Sequence, residues 1–258
     1  MRAVFLAKGK RSAARALDRL VEAGVDVVAV VASEPERFTR PEQRVDLVAE
    51  RHGLPLVTEA GLYERVPAAV DVVISFLFWR RIREPLISLG RVGCLNFHPA
   101  PLPDFRGLGG INVAILEGLA EWGVSCHFVD EAFDTGDLVE VERFAFDPDS
   151  ATAFSLDLES QDRLVGLFER VMARLLAGEA LPREPQERLG PGRYVDREEF
   201  ERLRVVREGD DLTRKLRAFW YPPHAGAVVE VGARQLTLVD EAILADAAEA
   251  YRDAGLIP

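Results

Sequence analysis

The sequence predicts an α/β fold: a doubly wound, mostly parallel sheet followed by a small C-terminal α+β tail that contains a β-hairpin. Three observations predict it. Short runs that are apolar on both faces recur through the first half of the chain, at 1–7, 25–32, 71–78 and 92–98. Helix-periodic segments alternate with them. Strands apolar on both faces, interleaved with helices, are the mark of a parallel sheet covered on both sides. The last stretch, 194–258, instead reads as short helices and an alternating pair of strands around a glycine turn.

The elements follow in order. "MRAVFLA" is a first strand, and "SAARALDRLVEAG" a helix with Ala13, Ala16, Leu17, Leu20 and Val21 on one face and Gly24 to end it. "VDVVAVVA" is the second strand. "PEQRVDLVAERHG" predicts a helix stopping at Gly53, and "LPLVT" a short strand. "DVVISFLF" and "VGCLNFH" are two further strands. A proline-rich loop leads to a helix over 109–121, then strands over 122–130 and 137–147, and a long amphipathic helix over 151–177. From 181 to 193 glycine and proline recur without periodicity, a linker signal. The tail then offers helices in "DREEFERL" and "DDLTRKLRAF" and a hairpin in "GAVVEVGARQLTLVD".

Composition narrows the function. At 258 residues and 48% hydrophobic, the chain is long enough for one large packed domain with a smaller one. The net charge of −11 disfavours a nucleic-acid partner, because an acidic surface repels phosphates. No run of about 18 apolar residues spans a membrane. The N-terminus reads as a strand and not as a signal peptide, and two cysteines, Cys94 and Cys126, imply no disulfide framework. A cytoplasmic protein is the expectation.

The chemistry concentrates in "CLNFHPAPLPDFRG", residues 94–107. Side chains two apart on a strand face the same way, so Asn96 and His98 point together at the carboxyl end of a central strand, where open α/β sheets place their ligands. An imidazole moves a proton near neutral pH and an amide donates to a developing oxyanion. Asp134, in the turn "DTGD", adds a carboxylate that can orient the imidazole or relay a proton. Each motif is weak alone; N-x-H-P, F-R-G, G-V-x-x-H and D-T-G-D in this order are not.

In these motifs, and over roughly residues 1–175, the sequence resembles the formyltransferases that use N10-formyltetrahydrofolate: the glycinamide ribonucleotide, methionyl-tRNA and sugar N-formyltransferases. With the boundary that composition sets, the expected organisation is a catalytic domain over 1–180, a linker over 181–193 and a small helix-and-hairpin region over 194–258. The resemblance implies catalytic roles for Asn96, His98 and Asp134: an unprotonated amine attacks the formyl carbon, Asn96 and protonated His98 stabilise the oxyanion, and Asp134 keeps His98 charged and helps move the proton. N10-formyltetrahydrofolate is the implied cofactor, leaving as tetrahydrofolate, and no metal is needed. The folate site maps to Phe78, Trp79, Arg80, Arg81 and Ile82 and to Val129, Asp130 and Phe133. Trp79 either walls the pterin slot or packs under the following helix. His127 is a second histidine near the site, read as a structural strand residue.

For the acceptor, Lys8, Gly9, Lys10, Arg11 and Ser12 form a turn at a helix N-terminus suited to an anion, or simply a solvated basic turn. Pro101, Arg106 and Gly107 follow the catalytic strand, and Trp220 and Tyr221 in "RAFWYPPHAGA" could shape an acceptor pocket. The tail resembles that of the sugar enzymes and lacks the basic barrel expected of the tRNA enzymes, so a nucleotide-linked amino sugar is the expected acceptor. Methionyl-tRNA formylation, formyltetrahydrofolate hydrolysis and folate binding without catalysis are the alternatives. The hairpin and the long helix would also suit a homodimer interface.

Overall fold

The structure, a computed structural model, describes residues 1–37, 39–245 and 248. In chain order the first elements are β1 (Arg2–Ala7), α1 (Arg11–Glu22), β2 (Asp26–Ala32), α2 (Val45–Arg51), α3 (Glu59–Glu64), β3 (Val72–Phe76), α4 (Leu86–Leu89), β4 (Gly93–His98) and β5 (Phe105–Gly107). They are followed by α5 (Gly110–Leu116), β6 (Glu121–Phe128), β7 (Leu138–Ala145), α6 (Ala153–Leu176), β8 (Arg193–Val195), α7 (Arg197–Arg204), α8 (Leu212–Phe219), β9 (Val228–Val231) and β10 (Arg234–Thr237).

The described residues form two compact units that interleave along the chain. The first comprises Met1–Arg106, Gly123–Arg143 and Glu159–Arg193. The second comprises Gly107–Trp122, Phe144–Leu158 and the described residues from Tyr194 onward. Composition alone marks a break at 181–193, whereas these units follow contacts in space.

The first unit is built on a six-stranded sheet in the order β2-β1-β3-β4-β6-β7. The pairs β1–β2, β1–β3 and β3–β4 are parallel, and β4–β6 is antiparallel. Both faces of the parallel strands are buried, as the apolar runs demand. On one face Phe76 stacks on Phe97 at 5.7 Å, and Phe168 of α6 meets both edge-on at 5.7 and 5.0 Å. On the other, Val4, Leu6, Ala29, Val31, Val73, Leu86 and Cys94 form a continuous core. Edge-to-face aromatic pairs of this kind contribute about 0.5–1.5 kcal/mol beyond burial. Cys94 and Cys126 are both free and buried.

Three expected elements are shorter than the sequence implies. The helix expected over 109–121 is α5, which stops at Leu116, just before Gly118 at φ +66°. The helix over 41–53 begins as a 3-10 turn, Pro41–Gln43, before α2. The strand at "LPLVT" is reduced to a single bridge between Leu56 and Val30, because Pro55 has no N–H to extend a ladder.

In the second unit α5 and α8 pack together, with Asn112 Nδ2 donating to the Ala218 carbonyl at 2.6 Å and Phe200 against Phe219 at 5.6 Å. The hairpin β9–β10 turns through Gly232 at φ +60°, with Val231 opposite Arg234. This is the expected C-terminal hairpin.

Candidate active site

The register of three strands assembles the site's first row. Ser75 of β3 and His127 of β6 are the direct neighbours of Asn96 on either side. Ser75 Oγ, buried, donates to Asn96 Oδ1 at 2.7 Å. Asn96 Nδ2 lies 3.0 Å from His127 Nε2, and His127 Nδ1 lies 2.7 Å from its neighbouring carbonyl at Phe128. A carbonyl only accepts, so Nδ1 carries the proton and Nε2 accepts from Asn96. The amide is thereby held at both ends, and its second N–H is directed by that grip.

His98, two residues on, sits on the same face of β4. Its Nδ1 lies 3.7 Å from Asp134 Oδ1, and the same oxygen lies 3.7 Å from His127 Nε2. Both side chains are largely buried, at 13% and 12% exposure. His98 Nε2 is buried and, among the described residues, has no hydrogen-bond partner. Burial pulls the His98 imidazole below its ordinary range; the Asp134 carboxylate opposes this, His127 adds to it, and the Phe105 backbone opposes it. Desolvation is the largest of these influences, so the net shift of the imidazole is downward.

Asp134 occupies a left-handed backbone conformation, φ +58°, uncommon for a non-glycine residue. Its loop is braced from two directions. The Asp130 carboxylate accepts from the Ala132 N–H at 3.0 Å and from Thr135 Oγ1 at 2.7 and 2.8 Å. Gln186 Nε2 donates to the carbonyls of Asp134 and Gly136. Leu77, directly after β3, is the other non-glycine residue near the site with positive φ, +55°.

The two loops expected to hold folate are joined by Arg81, whose guanidinium donates to the Glu131 carbonyl. Trp79 is 45% exposed, with Phe78 at 4.9 Å and the Arg80 guanidinium 5.4 Å from its ring, so it does not pack beneath a helix. Phe133 is similarly exposed. Arg80 pairs with Glu59 at 2.6 Å. Val129 donates its N–H to the Cys94 carbonyl at 2.8 Å, which anchors the start of the Asp134 loop to β4. Ile82 is buried in the core and offers only backbone.

Two acceptor assignments, Ser12 and Pro101, need correction because both side chains are buried; the others are placed as follows. Ser12 is buried and donates to Gln161 Oε1 at 3.1 Å, because α1 turns that face toward α6; its hydroxyl is spent inside the core. Pro101 is buried, 3.0 Å from where a side chain on Gly123 would begin. Gly9 N–H is taken by Ser33 Oγ at 2.7 Å, while Arg11 is exposed and Lys8 and Lys10 are half-buried. Arg106 donates to the Pro191 carbonyl. In the second unit, a side chain on Gly107 would strike the Val195 carbonyl at 2.5 Å. There too Tyr221 donates to Asp157 Oδ2 at 2.5 Å and meets the Phe154 ring edge-on at 5.7 Å, with half-buried Trp220 closing α8.

Sequence reasoning passed over Ser75 and Gln186. Ser75 lies within an otherwise apolar strand and Gln186 within a stretch of prolines and charges; neither carries a motif.

Comparisons with known proteins identify the family. A family model described as Formyl transferase matches residues 1–162. The chain is 32% identical over 230 residues to a methionyl-tRNA formyltransferase from Parvibaculum lavamentivorans, covering 83% of this chain and 72% of that protein. Among solved structures, a 4-N formyltransferase from Francisella tularensis aligns with a TM-score of 0.74 at 17% identity, over 93% of this chain and 97% of that one. An N-formyltransferase from Helicobacter canadensis, solved with folinic acid and dTDP-3-aminofucose, aligns with a TM-score of 0.71 at 17% identity, over 93% and 89%. At those identities the structures attest the fold, and the family model and the bacterial relative carry the assignment. The protein belongs to the formyl transferase family, enzymes that draw their formyl group from N10-formyltetrahydrofolate.

Proposed function

We propose that this enzyme transfers the formyl group of N10-formyltetrahydrofolate to the primary amine of a small acceptor, a nucleotide-linked amino sugar. The observation that carries the chemistry is the buried His98 Nε2, without a hydrogen-bond partner among the described residues, beside an Asn96 amide gripped by Ser75 and His127. The loop after β3 and the Asp134 loop, tied together by Arg81, are the segments that would hold the folate, with exposed Trp79 and Phe133 as its aromatic walls. N10-formyltetrahydrofolate, when bound, supplies an activated formyl carbon.

The protein's own residues then act as follows. Asn96 Nδ2 would donate to the formyl oxygen as negative charge grows there, a preorganised donor in a site of low dielectric. Neutral His98 takes the proton of the attacking amine at Nε2 and passes it to the departing nitrogen. Asp134, on the far side of the ring, stabilises the imidazolium formed in between. The carbon–nitrogen bond to the acceptor would form as the bond to the donor nitrogen breaks, and the proton lost by the amine would be the one that nitrogen gains.

The acidic surface, net −11, favours a small acceptor over a polynucleotide. The Helicobacter canadensis neighbour, solved with an amino sugar nucleotide, supports the acceptor class. The 32% identity to a methionyl-tRNA formyltransferase favours methionyl-tRNA as a second reading. The test is an acceptor panel with N10-formyltetrahydrofolate, read by mass spectrometry. A gain of one formyl group on an amino sugar nucleotide, with tetrahydrofolate released only when the amine is present, is expected. Formylation of methionyl-tRNA alone, or release without an amine, overturns the acceptor reading.

A further inference from the structure

The segment 181–193, which composition marks as a linker, is a strap fastened to the catalytic loop. Leu138 and Glu184 exchange backbone hydrogen bonds at 2.8 and 3.0 Å, which lays the strap along the start of β7. One residue earlier the Arg183 guanidinium covers the Phe128 ring at 3.4 Å and lies 3.7 Å from Asp137. Just beyond, Gln186 is 5% exposed, and its Nε2 donates to the Asp134 carbonyl at 3.0 Å and the Gly136 carbonyl at 2.7 Å. Both amide hydrogens are thus committed. The orientation of the amide is settled by its partners, because reversal would set its oxygen against two carbonyl oxygens.

We propose that Gln186 is the positioning residue of the catalytic carboxylate: by gripping the backbone on both sides of Thr135, it holds Asp134 against His98. The backbone it grips needs a grip. Asp134 sits at φ +58°, a conformation that persists only where its surroundings impose it. The Asp130 brace reaches the loop at Ala132 and Thr135, and Gln186 takes the carbonyls that Asp130 cannot. With the grip lost, the loop relaxes toward ordinary backbone and the carboxylate leaves its station 3.7 Å from His98 Nδ1 and 3.7 Å from His127 Nε2. A glutamine side chain donating to backbone carbonyls fixes the loop while adding no charge to a site whose balance rests on Asp134, His98 and His127.

The inference rests on reading Asp134 as the catalytic carboxylate, so its test includes a readout that requires no turnover. The sequence holds four histidines, which makes the His98 ring accessible to NMR titration, with His98→Gln to assign it. Gln186→Met keeps the length and removes both donors. In that variant the His98 midpoint should fall by about half a pH unit or more, because a nearby carboxylate raises an imidazole pKa and its departure lowers it. The kcat should drop about tenfold with KM for the folate donor changed less than about threefold, as for a group acting on the chemical step. Arg183→Ala, which loosens the strap without taking the two hydrogen bonds, should leave the His98 midpoint in place. Gln186→Glu guards against a variant that fails to fold: only protonated glutamic acid donates, so its kcat relative to wild type should rise as pH falls. A folded Gln186→Met whose His98 midpoint does not move, or a Gln186→Glu ratio flat with pH, overturns the proposal. Absence of formyl transfer in the wild type would strike the functional reading alone, and the titration would still decide the role of Gln186.

Discussion

Gly136 offers the sharpest perturbation of the site. A Cβ placed there would overlap the Phe128 carbonyl oxygen outright and lie 2.9 Å from its carbon. Non-bonded heavy atoms rest about 3.5 Å apart, so in Gly136→Ala one partner yields by about 1 Å. Phe128 is the more firmly held, paired with Leu95 across β4–β6 and donating its own N–H to Asp137 at 2.8 Å. The loop therefore moves, and Asp134 is two residues away. Misplacing a catalytic group by about 1 Å costs on the order of 100-fold in rate, or about 2.7 kcal/mol of transition-state stabilisation. Overpacking also destabilises, by about 1–3 kcal/mol. The assay pairs initial rates of amine-dependent tetrahydrofolate release with thermal unfolding. A folded Gly136→Ala enzyme within about threefold of wild-type kcat/KM would refute the claim that the Gly136–Phe128 approach sets Asp134, since such a change is under about 0.7 kcal/mol.

Three other outcomes are expected. Because burial lowers the His98 pKa and the neutral ring is the proposed base, kcat/KM should decline as pH falls through a midpoint below the ordinary imidazole range; a decline on raising the pH through that range would favour a protonated ring instead. Ser75→Ala strips the partner from a half-buried amide oxygen and should cost about 1–3 kcal/mol in denaturant unfolding, with a lower kcat as Asn96 gains freedom to turn. Tyr221→Phe removes a hydrogen bond to the Asp157 carboxylate at 2.5 Å, which should lower stability by about 2 kcal/mol in thermal melts.

The parts of the site that were legible in the sequence are those set by local periodicity. The spacing of Asn96 and His98 places both on one face of any strand, and "DTGD" marks Asp134 as a turn residue whatever lies around it. The antiparallel sense of β6 is not encoded that way: its run is buried on both faces, as a parallel strand's would be, and only pairing with β4 reveals the direction. Ser12 has the sequence context of an anion-binding turn, and its burial is decided by Gln161, a partner 149 residues away. Gln186 is invisible for the same reason. Its partners are carbonyls 52 and 50 residues earlier, and backbone carbonyls have no sequence signature. The downward pull on the His98 imidazole comes first from its desolvation, which no motif records.

Cys94 lies in β4 and Cys126 in β6, the two strands that carry Asn96, His98 and His127. Both thiols are buried, and burial pushes both well above the ordinary range. Alkylating reagents attack only a solvated thiolate. In the folded enzyme each cysteine is therefore protected until its strand opens, and labelling proceeds no faster than that opening. Mass-resolved alkylation of the two thiols would act as a clock on the catalytic strands. Equal rates would report a single cooperative opening, unequal rates a local one, and slowing by a bound folate would measure how firmly the ligand clamps the sheet beneath it.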